Sequence, residues 1–238
     1  MVDSLELDDR FTEQLRDFWR QATGRLCLDQ RPSVRPDANW VLHQSRLPWL
    51  PLELNLPYEA MAFEAHSVMG QFAEHRGGDG KGWQSLCLHG IDSKKTRAPH
   101  HYGHTDYSAP YRWTEIADLC PITTQYFQQC FPMRQLFRVR FMLLEPGGFI
   151  NPHRDTETRF LSAVNIALTN PTGAYFKMEG IGCVPYKPGS AFMLDVGTVH
   201  SCVNLSPFPR IHIIVHGETD CDEWNALVVR SYLSSLTR

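Results

Sequence analysis

The feature that most constrains the fold is a run of short apolar segments and tight turns that begins at Leu136. Roughly eight segments have the length and alternation of β-strands. They span 136–144, 149–153, 162–168, 173–177, 181–186, 190–195, 199–203 and 210–216. Turn-forming residues separate them, as in Pro146-Gly147-Gly148 and Pro188-Gly189. Because short strands at close spacing are typical of antiparallel sandwiches and barrels, we predict a jelly-roll core of the double-stranded β-helix type.

The N-terminal half is predicted to be mainly helical. Helical spacing of apolar residues predicts helices at 8–23, at 59–76 and from Thr114 to about 131 with a break at Pro121, and a covering helix at 221–237. Residues 31–58 are rich in proline and are expected to form an irregular strap, whereas Trp83–His89 alternates as a strand. The fold class is therefore mainly β with flanking helices. Residues 1–135 are expected to pack on a core of 136–238, so that 1–238 forms one compact domain.

Composition excludes several classes of protein. The net charge of −3 provides no basic excess for binding nucleic acid. Seven cysteines without Cys-x-x-Cys spacing disfavour a zinc ribbon and a disulfide framework. The acidic N-terminus lacks a signal peptide, and no apolar run is long enough to span a membrane. We therefore expect a cytoplasmic protein that binds neither nucleic acid nor membrane; the sequence leaves its oligomeric state open.

A metal site is predicted within the β-rich half. On a strand, residues i and i+2 point to the same face, so His153 and Asp155 would project together, and His200 lies on a later strand. Two histidines and one carboxylate form the face that holds iron in non-haem Fe(II) oxygenases and leaves other positions open. The alternative is that the histidines are solvated or hydrogen-bonded and that Asp155 caps a turn.

Arg210 is the candidate for binding an acidic cosubstrate. It opens the segment RIHIIVHG, in which Arg210, His212 and Ile214 share one strand face. A buried guanidinium is costly unless it is paired, and its planar fork matches a carboxylate. If that face points inward, Arg210 therefore requires an anion. If it points outward, Arg210 is a solvated residue after the turn at 207–209.

The stretch from Phe137 to Gly217 resembles the aspartyl/asparaginyl β-hydroxylase family of Fe(II)/2-oxoglutarate-dependent oxygenases. The resemblance lies in PHRD at 152–155, VNIAL at 164–168, PGSAFMLDVGTVHSCVN at 188–204 and RIHIIVHG at 210–217. It implies a double-stranded β-helix, cupin-like core that uses Fe(II), 2-oxoglutarate and O2. By position, the family's iron ligands fall on His153, Asp155 and His200.

The resemblance also assigns the cosubstrate pocket. Arg210 falls on the arginine that binds the C5 carboxylate of 2-oxoglutarate. Asn165 falls where the family often has a histidine that touches the cosubstrate, and asparagine can donate a similar hydrogen bond. His212, on the face of Arg210, completes the predicted pocket.

The substrate is the least constrained part of the prediction. Arg140, which shares a strand face with Arg138, and Arg159 are candidates for holding it, with an exposed alternating strand as the alternative for the first two. The long polar loop 92–111 carries His100, His101 and His104, which could bind a second metal or lie beside the active-site mouth. We expect an oxygenase that hydroxylates an aspartyl/asparaginyl-type residue in a peptide or protein, or a free amino acid. The alternative is a non-catalytic, cupin-like metal- or ligand-binding module.

Overall fold

The computed structural model describes residues 12–21 and 36–236. Their strands are β1 Trp49–Pro51, β2 Ala73–Glu74, β3 Gly80–Gly90, β4 Arg112–Trp113, β5 Gln135–His153, β6 Leu161–Thr169, β7 Ala174–Met178, β8 Gly182–Cys183, β9 Ala191–Asp195, β10 His200–Asn204 and β11 Arg210–Glu218. Their α-helices are α1 Glu13–Arg20, α2 Ala38–His43, α3 Tyr58–Ser67, α4 Glu115–Leu119, α5 Pro121–Gln129 and α6 Asp222–Ser235. Short 3-10 helices occupy Met69–Gln71 and Pro99–Tyr102.

The strand order confirms the predicted double-stranded β-helix. Neighbouring strands follow the order β1-β9-β6-β11-β5-β10-β7-β8, and the pairs are antiparallel. The long strand β5 belongs to both layers. Its first part pairs with β11, from Gln135 with Glu218 to Leu144 with Arg210. Its last part pairs with β10, where His153 lies opposite His200. The two layers therefore face each other, and β5 connects them along one side of the interior between them.

The turn predicted at Pro146-Gly147-Gly148 is a bend inside β5, so the prediction of two separate strands there is wrong. Gly147 has a φ of 70°. A Cβ at Gly148 would lie 2.8 Å from the carbonyl oxygen of Lys81. The strand continues because β3 follows it on the other side, from Leu144 opposite Trp83 to Ile150 opposite Gly80. Glycine thus allows the backbones to approach where β5 changes layers.

Strand parity divides β5 and β11 into a core face and an interior face. Val139, Phe141, Ile211 and Ile213 are fully buried in the main hydrophobic core, together with Trp224 of α6. Burial of each such side chain contributes roughly 1.5–3 kcal/mol to folding. The alternate residues of both strands face the interior between the layers, which positions the site described below.

Two predictions in the N-terminal half need correction. The helix predicted at 59–76 ends at Ser67, because Ala73–Glu74 pairs with β3 instead. The strap predicted at 31–58 is not irregular throughout, since it contains α2 and β1. The carboxylate of Asp37 caps α2 by accepting a hydrogen bond from the Trp40 N–H at 2.7 Å. Pro51 is tolerated in β1 because that strand lies at the edge of the sheet.

Other predicted elements are close to those observed. Strand Trp83–His89 lies within β3, and α6 covers most of 221–237. The predicted helix from Thr114 is interrupted at Pro121 as expected, and the Thr114 hydroxyl caps α4. The segment predicted at 181–186 forms only the two residues of β8, since Pro185 has no N–H to donate.

Some predictions fall on residues outside the described ranges. These include both ends of the helix predicted at 8–23 and the first residues of the strap. The division of the chain at 135 remains a prediction. Across 12–21 and 36–236, no helix has the length and apolar character needed to cross a membrane.

Candidate active site

The three predicted metal ligands lie together at the end of the shared strand. Their ligand atoms are within 4.8 Å of one another. Asp155 Oδ1 is 3.7 Å from His153 Nε2, and its Oδ2 is 4.0 Å from His200 Nε2. Pairing of β5 with β10 places the histidines opposite each other. Asp155, however, follows β5 rather than lying within it, and its N–H donates to the Val196 carbonyl at 3.0 Å. Asp155 therefore reaches the metal site from a loop, and not from the strand that we predicted.

Hydrogen bonds orient both imidazoles for metal binding. His153 Nδ1 donates to the Asn151 carbonyl at 2.8 Å, and His200 Nδ1 donates to the Thr198 carbonyl at 2.9 Å. These bonds place each ring's remaining lone pair on Nε2, the atom that faces Asp155. The Phe176 ring stacks on His200 with centroids 5.1 Å apart. Two preoriented imidazoles and a carboxylate with an open side fit Fe(II).

The electrostatic surroundings keep His200 in the neutral form that binds a metal. Burial, then repulsion from His153, lowers the pKa of His200 to about 4. The ring is therefore neutral at pH 7, as a metal ligand must be. Arg76 Nη1 and Nη2 donate to Asp155 Oδ1 at 3.3 and 3.4 Å. That contact leaves Oδ2 as the freer oxygen for a metal.

The triad opens into a cavity of about 600 Å³ between the two layers. Interior-facing residues of β5 and β11 line it in register, with His212 opposite Met142, Ile214 opposite Arg140 and His216 opposite Arg138. Arg210, the next lining residue along β11, lies opposite Leu144. The predicted inward face of β11 is therefore observed. The alternative of exposed strands is wrong for Arg138, Arg140 and Arg210, which are 8%, 6% and 5% exposed.

Arg210 is buried without a carboxylate partner among the described residues. Its Nε donates to Asn170 Oδ1 at 3.2 Å, and its Nη2 is 3.1 Å from His212 Nδ1. Its guanidinium carbon is 5.6 Å from the Tyr186 ring centroid. The Tyr186 hydroxyl is also buried and has no hydrogen-bond partner in the described part of the chain. Unpaired donors of this kind suit a bound carboxylate.

Asn165 and His212 form the side of this anion pocket. Asn165 Oδ1 is 2.6 Å from His212 Nδ1, and both residues line the cavity. Burial, then the charge of Arg210, lowers the pKa of His212 well below its ordinary value. A neutral His212 therefore adds no positive charge beside Arg210, and its Nδ1–H can donate to Asn165 Oδ1.

Of the other predicted candidates, some line the cavity and others do not. Arg159 is not among the cavity-lining residues, because its guanidinium pairs with Asp195 Oδ2 at 2.7 Å. His100 and His101 line the mouth of the cavity with ring centroids 4.1 Å apart, whereas His104 does not line it. Within the described ranges, the three-residue groups that could hold a metal reduce to the triad, so the histidines of loop 92–111 form no second one.

Sequence reasoning missed several residues of the site. Arg76, His75 and Tyr186 carry no distinctive spacing, and tertiary contacts bring them to the cavity or the anion pocket. His75 Nδ1 contacts the hydroxyls of Thr96 and Ser85 at 2.9 and 2.8 Å. The pattern around residues 75–78 is typical of a helix end, and it gives no sign that Arg76 approaches Asp155.

Comparison with known proteins identifies similarity to one family. Residues 56–219 match the family model described as aspartyl/asparaginyl beta-hydroxylase. A search of curated proteins found no significant match.

Among solved structures, the chain is similar to an oxidoreductase of the 2OG-Fe(II) oxygenase family from Burkholderia pseudomallei, with 12% identity, 82% of this chain and 94% of that chain covered, and a TM-score of 0.48. It is also similar to a prolyl-4-hydroxylase from Pseudomonas putida, with 16% identity, coverage of 72% and 93%, and a TM-score of 0.42.

Proposed function

Because the chain belongs to the aspartyl/asparaginyl β-hydroxylase family of Fe(II)/2-oxoglutarate-dependent oxygenases, we propose that it hydroxylates an aspartyl/asparaginyl-type residue in a peptide or protein, or a free amino acid. The observation that carries this proposal is the juxtaposition of two donor sets in one cavity. His153, Asp155 and His200 converge there with an open side, and Arg210 lies buried without an anion partner among the described residues.

In the proposed site, His153, Asp155 and His200 hold Fe(II). Bound iron and 2-oxoglutarate supply the oxidation, in which O2, 2-oxoglutarate and a C–H bond give succinate, CO2 and a hydroxylated product. The protein's own contribution is geometric. The Asn151 and Thr198 carbonyls fix the two rings, and Arg76 holds one carboxylate oxygen of Asp155.

Arg210 would hold the far carboxylate of 2-oxoglutarate. Its guanidinium is preoriented by Asn170 and His212, and the free Tyr186 hydroxyl provides a further donor. Burial raises the pKa of Tyr186, so this hydroxyl remains protonated and can donate to an anion. Asn165 and His212 close the side of the pocket.

The test is succinate formation by the protein loaded with Fe(II) and 2-oxoglutarate in air. The wild type should form succinate slowly without substrate and faster with it. As a control, Arg230→Gln should keep the wild-type rate, because Arg230 is exposed outside the cavity and pairs with Glu53 at 3.5 Å. A wild-type protein that binds no 2-oxoglutarate and forms no succinate would contradict the proposal. That result would favour the alternative of a non-catalytic binding module, against which the family assignment speaks.

We also propose that the partners of the protein are O2 and an amino acid or peptide substrate. We expect it to bind neither nucleic acid nor a membrane. A cytoplasmic location stays a prediction.

A further inference from the structure

A second group of unpaired cations lies in the same cavity, away from Arg210. Arg138 and Arg140 are buried on the interior face of β5, and neither forms an ion pair within the described ranges. The Nε atoms of both arginines have no hydrogen-bond partner among the described residues, and neither has Nδ1 of His216 beside them. Arg140 Nη1 donates to the Thr96 carbonyl, which anchors one end of its guanidinium.

This group is too far from Arg210 to share one cosubstrate molecule. Arg210 lies opposite Leu144, whereas Arg140 lies opposite Ile214, four residues along β11. At about 3.4 Å per residue, those rows are roughly 14 Å apart. The four C–C bonds of 2-oxoglutarate, each about 1.5 Å long, place its terminal carbons roughly 5 Å apart. A cosubstrate held by Arg210 therefore leaves Arg138 and Arg140 without an anion.

The charge of the cavity also requires a further anion. Six arginines and two aspartates line it: Arg76, Arg97, Arg138, Arg140, Arg154, Arg210, Asp79 and Asp155. A divalent iron and a dianionic cosubstrate cancel each other, so the positive excess persists when both are bound. The carboxylate of Asp106 forms no ion pair with Arg138: it accepts a hydrogen bond from the Tyr111 hydroxyl at 3.3 Å and stabilises the charge of Arg138 only from a distance.

The arginine pair is costly to the protein without a ligand. Burial, then repulsion from Arg138, lowers the pKa of Arg140 to about 9, and burial likewise lowers the pKa of Arg138. A buried guanidinium without a partner destabilises the folded state. Both charges lie in the interior rather than at the rim, so an anion reaches them only by entering the cavity.

From these observations we propose that Arg138 and Arg140, with His216, form the substrate-binding subsite, and that the substrate is a small carboxylic acid whose carboxylate they hold. The inference rests on the proposed oxygenase function and narrows its substrate class. A chain of contacts connects Arg140 with the triad: Arg140 donates to the carbonyl of Thr96, whose hydroxyl is 2.9 Å from His75 Nδ1. The ring centroids of His75 and Trp83 are 4.5 Å apart, and those of Trp83 and His153 are 6.2 Å apart. A carboxylate held there therefore leaves the rest of a small molecule beside the metal ligands.

The experiment uses full-length protein with Fe(II), 2-oxoglutarate and O2. The probes are the standard free L-amino acids, each paired with its primary amide, and the blocked peptide acetyl-Ala-Asp-Ala-amide. Amidation removes the carboxylate charge and keeps the shape. We expect at least one free acid to accelerate succinate formation well beyond its amide and beyond the blocked peptide. If no acid exceeds its amide, or if the blocked peptide is the better substrate, the proposal is wrong.

Variants then locate the carboxylate. Arg138→Gln and Arg140→Gln should each raise the concentration of the active acid needed for half-maximal rate by about tenfold or more. Arg138→Lys should restore part of the affinity, and Arg230→Gln, at an exposed arginine outside the cavity that pairs with Glu53 at 3.5 Å, should match the wild type. The KM for 2-oxoglutarate should change little in Arg138→Gln, which separates this subsite from the Arg210 pocket. An unchanged requirement for the acid in both glutamine variants would overturn the proposal.

A stability measurement distinguishes binding from a structural role. Because Arg138 forms no hydrogen bond among the described residues, Arg138→Gln should leave the Tm of the ligand-free protein unchanged or raise it. A structural arginine would lower it. Absence of any 2-oxoglutarate binding or succinate in the wild type would instead mean failure of the proposed function itself.

Discussion

Replacement of Arg210 by glutamine tests the cosubstrate pocket most directly. Arg210 is 5% exposed, and its charge is balanced by no described carboxylate. A bound carboxylate can therefore accept charge-assisted hydrogen bonds from it, each worth about 1.5–3 kcal/mol. Glutamine retains a neutral donor, so we take the net loss as about 3 kcal/mol. That loss corresponds to a Kd for 2-oxoglutarate about a hundredfold higher.

The structure also predicts what Arg210→Gln should leave intact. In the ligand-free protein, the substitution removes the hydrogen bonds that the guanidinium forms, such as the one that Nε donates to Asn170, and its contact with His212. Removal of a buried charge offsets the absence of these bonds, so the free energy of unfolding should change little. Arg210→Lys should give an intermediate Kd, because lysine keeps the charge and lacks the planar fork.

The assay is an anaerobic titration of the Fe(II)-loaded protein with 2-oxoglutarate, in which the absorption band of the iron–2-oxoglutarate chelate reports binding. Circular dichroism and Tm establish that each variant is folded, and Arg154→Gln is the control at the cavity rim. A folded Arg210→Gln protein with the Kd of the wild type would refute the assignment. If Arg154→Gln weakened 2-oxoglutarate binding equally, the effect would come from long-range charge and not from hydrogen bonds of the buried Arg210 guanidinium.

Three further predictions concern the metal, the pH dependence and the helical layer. Alanine at His153, Asp155 or His200 should abolish substrate-dependent succinate formation and lower the bound iron measured by metal analysis; full activity in any of these variants would remove that residue from the ligand set. Burial, then repulsion from nearby arginines, lowers the pKa of His75 from 6.5 to about 2, so the unfolded state binds the extra proton and stability falls as pH drops below 6.5. The cost should be roughly 1 kcal/mol by pH 5.5, and urea unfolding of His75→Gln at pH 7 and 5.5 should show a smaller difference than the wild type. The buried carboxylate of Glu64 accepts hydrogen bonds from two backbone N–H groups at the start of α5, at 2.7 and 2.9 Å; Glu64→Ala should cost about 3 kcal/mol in unfolding free energy with kcat unchanged, and a loss below measurement error would contradict this capping role.

The parts of the fold set by local pattern were predictable from the sequence. Alternation located most strands of the jelly roll, and the parity of Arg210 and His212 placed both on the interior face. Thr114 and Pro121 marked the beginning and the interruption of a helix through local chemistry alone. In each case the relevant interactions lie within a few residues along the chain.

The errors arose where distant contacts decide local structure. Ala73 joins a strand because β3 offers an edge, and helical spacing cannot reveal that partner. Gly148 bends β5 instead of ending it because Lys81 of β3 approaches its backbone. Arg159 follows the iron motif closely, yet Asp195 pairs with its guanidinium from 36 residues away. The predictions therefore failed where the deciding contact joins residues that are far apart along the chain, whatever the residue types.

The placement of arginines on β5 and β11 links stability to function. Each strand contributes apolar residues to the main core on one face and cations to the cavity on the other. A one-residue change of register would exchange the faces and bury the cations against the helices, so the core fixes the register that presents the charges to the cavity. The destabilisation from Arg138, Arg140 and Arg210 is therefore offset by core burial on the opposite faces of the same strands. Ligands that neutralise these arginines should then stabilise the protein, each by an amount that rises with the logarithm of its concentration relative to its Kd. Additive rises in Tm with 2-oxoglutarate and the active acid would indicate two separate anion subsites, whereas mutually exclusive rises would indicate one.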